Sequence, residues 1–131
     1  MTRTGHARQR FQSDGMQSIS PQRLVVLLYQ RAARDVAEAR AAIVEGRTED
    51  RHRNLLHAQE IIEELGYAVN PDVWEGGETI LAVYDYLLER LVRANVAGDV
   101  RALDEAARLI GELAEAWSEA YLTLHADGSG T

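Results

Sequence analysis

The stretch ALDEAARLIGELAEAWSEAYLTL, residues 102–124, sets Leu103, Ala106, Ile110, Leu113, Trp117, Ala120 and Leu124 alternately three and four positions apart. An α-helix turns once in 3.6 residues, so this spacing gathers the apolar side chains into one stripe. A recurrence of that kind over several turns is the seam of a helix packed lengthwise in a bundle. Asp99 stands where a cap would begin this helix, and Gly98 where the preceding one would stop.

The rest of the chain repeats the pattern on either side of short breaks. Ser20-Pro21 is a start signal: the Ser hydroxyl can accept from an early backbone N–H, and Pro suits the first helical position. Leu24, Leu27, Leu28, Val36 and Ile43 follow at helical spacing up to Gly46. A second helix is predicted from about Thr48, with Glu49 and Asp50 complementing its dipole. Its stripe is Leu55, Ile62, Leu65 and Val69, broadened by Leu56 and Ile61, and Pro71 stops it. After a loop from Asn70 to Gly77, a third helix is predicted over 78–97, with Ile80, Tyr84, Leu87 and Leu91 on its inner face. Short connections make sequence neighbours antiparallel, so the expected fold is all-α, an elongated antiparallel four-helix bundle. The bundle should span residues 20–125. Before it lies a polar segment, 1–19, expected to be mobile and able to form a short cap; after it lies a disordered tail, 126–131.

Composition narrows the function. A chain of 131 residues suits one core. With no Cys there are no disulfides, no thiol catalysis and no Cys-ligated zinc. No apolar run approaches the roughly 20 residues of a membrane span, and Arg3, Arg8 and Arg10 precede no signal-like apolar core. A cytoplasmic (cytosolic) protein without membrane insertion is expected. The net charge is −7, and every basic residue is Arg. An acidic body repels phosphates, so no nucleic-acid partner is expected.

Catalytic and metal patterns are weak. His6, His52, His57 and His125 form no HExxH motif, and the single Glu49–His52 pair falls short of the two Glu-x-x-His pairs of a di-metal bundle. Gly76-Gly77 lacks the Lys and leading strand of a phosphate loop. Glu60, Glu63 and Glu64 read as an exposed helical face. No enzyme, metal or cofactor is expected.

The informative signal is a surplus of apolar positions. Val25, Val26 and Tyr29 accompany the stripe of the first helix, and Leu81, Val83, Tyr86 and Leu88 that of the third. A peripheral helix needs only a stripe about 100° wide. The surplus is therefore either deep core or a surface awaiting a partner, and periodicity leaves both open. Phe11, Met16 and Ile19, isolated in a polar segment, are candidates to cover such a surface.

These residues resemble the FliS flagellin-chaperone family. The resemblance is carried in order by Phe11, Ser20-Pro21, Leu28-Tyr29, Ala58, Ile61-Ile62 with Leu65, Gly76-Gly77, Tyr84-Asp85-Tyr86, Ala94-Asn95 and Ala116-Trp117. Phe11 stands where the family commonly has Tyr, Gln30 where it usually has an acid, and the loop Tyr67 to Glu75 follows no family pattern. The resemblance implies a flagellar type III export chaperone that binds the disordered C-terminal segment of flagellin one-to-one in apolar surface grooves. That binding would prevent premature polymerisation and end in handover at the flagellar export gate. On that footing Val25, Val26, Tyr29, Leu81, Tyr84, Leu88 and Asn95 are expected to bind flagellin, and Phe11, Met16 and Ile19 to cap the groove. Alone, the protein would be a monomer or weak dimer. The alternative is a bundle that buries its spare apolar surface in a homodimer.

Overall fold

In a computed structural model of the protein, the structure describes residues 19–126. They form four helices: α1 (Pro21–Glu45), α2 (Thr48–Tyr67), α3 (Gly77–Ala97) and α4 (Val100–Ala126). There is no strand among the described residues. The start signals act as the sequence suggests. The Ser20 hydroxyl accepts from the Arg23 N–H at 3.1 Å with Pro21 at the first helical position, and the Asp99 carboxylate accepts from the Ala102 N–H at 3.1 Å. Gly46 and Gly98 end α1 and α3 at φ 73° and 63°, a left-handed backbone that side chains disfavour.

Each helix packs on two others: α1 on α2 and α4, and α3 on α2 and α4. This is an up-down-up-down square, antiparallel throughout, and α4 with its 27 residues is about 40 Å long. The helix start of α1, the α2–α3 loop and the last turns of α4 meet at one end.

The core runs through Leu55, Ile62, Leu87, Leu91, Leu103 and Ile110, with Ala32, Ala39, Ala58, Ala94 and Ala106 between them. The buried face of α1 passes through Val26, Leu28, Tyr29, Ala32, Val36 and Ala39, so Leu28 and Val36 of the expected stripe are core while Leu24 and Leu27 are half-buried. The sequence stripe drawn through large residues was thus rotated slightly, because alanines hold the core line where helices approach closely. On α2, Val69 falls beyond the helix, in the loop. Glu64 also departs from expectation. It is buried and Glu60 and Glu63 half-buried, since Glu64 sits seven residues after His57 on the flank facing α1.

That flank carries a buried charge. Asp35 of α1 is hydrogen-bonded by the His57 ring of α2 and, at 3.3 Å, by Arg31 one turn back. Removing one partner of a buried ion leaves it under-solvated, while replacing both with apolar groups does not. His57→Leu is expected to lower unfolding free energy by about 2 kcal/mol, scaled down because His57 is partly exposed and Arg31 remains. The double variant Asp35→Leu/His57→Leu should recover most of that loss in urea unfolding.

Candidate functional site

The surplus apolar residues divide into core and surface. Tyr29 is 0% exposed, Val26 1% and Tyr84 4%. These three expected client contacts lie inside the core, because the core line of each helix passes through them. Val25, Leu81 and Leu88 are half-buried and packed against the outside of that core. Asn95 is half-buried, its amide 2.9 Å from the His52 ring of α2. Ile19 is half-buried just before the Ser20 cap. Phe11 and Met16 lie outside the described residues.

Tyr29 and Tyr84 organise one end of the bundle. Their hydroxyls are 2.5 Å apart, joining α1 to α3 across the diagonal, where the helices themselves are not neighbours. Trp117 of α4 stacks on Tyr29 with ring centroids 6.5 Å apart. From α2, Gly66 lies against the ring: a Cβ there would sit in ordinary contact with Tyr84 at 3.6 Å and Leu81 at 3.8 Å. All four helices therefore contribute to one aromatic layer. Burial, and then the bond to Tyr84, push the Tyr29 phenol well above its ordinary value of 10; burial also raises Tyr84.

Against this layer lies a hollow of about 290 Å³, walled by Val25, Leu65, Val69, Val73, Trp74 and Trp117, with Tyr84 also lining it. A second, shallower recess of about 550 Å³ runs along the outside of α3 over Leu88, Val92 and Val96. Val96 is 81% exposed and Val92 nearly half exposed. Leu81, Leu88, Val92 and Val96 are seven, four and four residues apart, so they form one apolar line on the flank of α3 nearest α2. Sequence reasoning missed Val92, Val96 and the loop residues Val73 and Trp74. The spacing after Leu88 was the signal for the first two.

This surface can bind apolar chain but offers little chemistry. Among the described residues no group of His, Asp and Glu could hold a metal, and His52, of the Glu49–His52 pair, faces Asn95 instead. No helix among them is long and apolar enough to cross a membrane.

The family described as "Flagellar protein FliS" matches residues 4–123. The chain belongs to the FliS family. Among curated relatives, the flagellar secretion chaperone FliS of Bacillus subtilis (strain 168) is 30% identical over 121 residues, covering 92% of this chain and 90% of the relative. The Salmonella typhimurium FliS chaperone is 31% identical over 105 residues, covering 78% and 77%. The Pseudomonas aeruginosa chaperone FliSB is 32% identical over 101 residues, covering 75% and 79%. A crystal structure of a flagellar chaperone from bacteria shares the fold, with a TM-score of 0.72 at 18% identity over 90% of this chain and 97% of the other. This FliS-family protein is a flagellar export chaperone, not an enzyme.

The aromatic layer predicts an alkaline limit. Folded Tyr29 and Tyr84 hold their protons above the pH at which an unfolded chain loses them. Their contribution to stability is complete below pH 10 and declines as the pH rises past it. Urea midpoints should fall beyond that pH. Tyr84→Phe should flatten the fall while costing about 1 kcal/mol at neutral pH for the lost hydroxyl bond.

Proposed function

We propose that the chain binds the disordered C-terminal segment of flagellin in the cytosol, one-to-one, and keeps it from polymerising until handover to the flagellar export gate. The observation that supports this reading is the apolar line Leu81–Leu88–Val92–Val96 on α3, exposed at Val92 and Val96, together with the hollow beside Val25 at the same helix's other end. A folded chaperone leaves such surface bare only if something else covers it. An amphipathic segment that folds as it binds fits a groove of this kind, with apolar burial of roughly 25 cal/mol per Å² driving binding against the ordering cost.

On this reading Val25, Leu81 and Leu88 meet the client directly and Asn95 offers its amide at the end of the line. Val26, Tyr29 and Tyr84 act by holding the wall behind it. Phe11, Met16 and Ile19 cover part of the groove until the client arrives.

Calorimetric titration with a peptide of the host flagellin's C-terminal segment should give one-to-one binding and a large negative heat-capacity change. Val92→Asp/Val96→Asp should weaken it about tenfold or more with little loss of stability, since both residues are exposed. Deleting residues 1–17 should speed association. A concentration-independent dimer in light scattering, with no flagellin binding, would favour the homodimer instead.

A further inference from the structure

The loop between α2 and α3 is held in one shape, yet it turns apolar side chains outward. Asn70 accepts through its side chain from the Asp72 N–H at 3.0 Å and through its carbonyl from Val73 and Trp74 at 3.2 and 3.1 Å. The Trp74 carbonyl accepts from Gly77 at 2.9 Å. Pro71 lies so close to Gly77 that a Cβ there would come within 2.8 Å of the Pro71 Cα. On this frame Val73 is 81% exposed and Trp74 41%, both facing the hollow. A fixed loop presents these side chains at little further ordering cost, which favours a binding role over chance exposure.

A further observation describes the occupant. The loop and the first turn of α3 carry Asp72, Glu75 and Glu78, all exposed and without a cationic partner among the described residues.

We propose that this end of the bundle selects, within the client, an aliphatic stretch with a basic residue beside it. Val73 and Trp74 grip the apolar side chains, and Asp72, Glu75 and Glu78 attract the flanking charge. The proposal rests on the chaperone reading and names the chemistry of the segment that this reading leaves open. The chain's own Arg8, Arg10 and Phe11 share that chemistry, so the N-terminal segment is the natural competitor for the hollow.

The test uses two synthetic peptides with the same Leu- and Val-rich centre, one flanked by Lys and one by Glu. Both are titrated into the full chain and into Arg8→Ala/Arg10→Ala/Phe11→Ala, whose competitor is weakened. The Lys-flanked peptide should bind about three- to tenfold tighter, given the modest worth of exposed charge pairs. The gap should close at high salt and in Asp72→Asn/Glu75→Gln/Glu78→Gln. Trp74→Ala should weaken both peptides about tenfold. Equal affinity for the two peptides, binding of neither to either protein, or a preference that survives removal of the three acids overturns the proposal. If flagellin peptide binds but ignores these substitutions, the chaperone reading stands and this one falls. If the Lys preference appears without flagellin binding, the reverse holds.

Discussion

The contact between the hydroxyls of Tyr29 and Tyr84 sets the geometry of the whole bundle end. In a square of four helices, the backbones of opposite members stand apart, as those of α1 and α3 do. Two long aromatic side chains span that gap, and each must point inward for their oxygens to meet. This fixes the rotation of α1 and α3 about their axes, and with it which residues remain outside. Trp117 closes the layer from α4, and Gly66 of α2 lies against it. Turned a little, α3 would bury its outer line of Leu88, Val92 and Val96 and expose its core.

The layer also explains why the hollow lies where it does. Towards the Gly46 and Gly98 end, the core is rich in alanine and the helices can approach closely. At the tyrosine end, large rings hold them apart, and the space beside the rings is only partly filled. The α2–α3 loop walls that space rather than plugging it, because Pro71 is packed on Gly77 and Val73 and Trp74 are turned outward. Ion pairs such as Arg40 with Asp104 tie the helix surfaces together without shaping this opening.

The fold was legible because apolar spacing, Ser20-Pro21, Gly46, Gly98 and Asp99 all carry local signals for helix starts and stops. The site was legible only in part. Periodicity shows that α1 and α3 have more apolar residues than one stripe needs, but which ones face inward depends on alanines and on the tyrosine pair, both set by other helices. Val26, Tyr29 and Tyr84 therefore went to the core, while Val92 and Val96 stayed outside. Asp35 gave no sequence signal at all, since its burial depends on His57 from a different helix. The loop Tyr67 to Glu75 was opaque for a similar reason: its shape rests on Pro71 meeting Gly77 across six residues.

The chain has two tryptophans, and both wall the same hollow, Trp74 from the loop and Trp117 from α4. The molecule thus carries its own optical reporter at one end. Its native emission follows the polarity of that hollow and is almost blind to the far end of α3, so light from the unlabelled protein distinguishes where along the bundle a bound chain has settled.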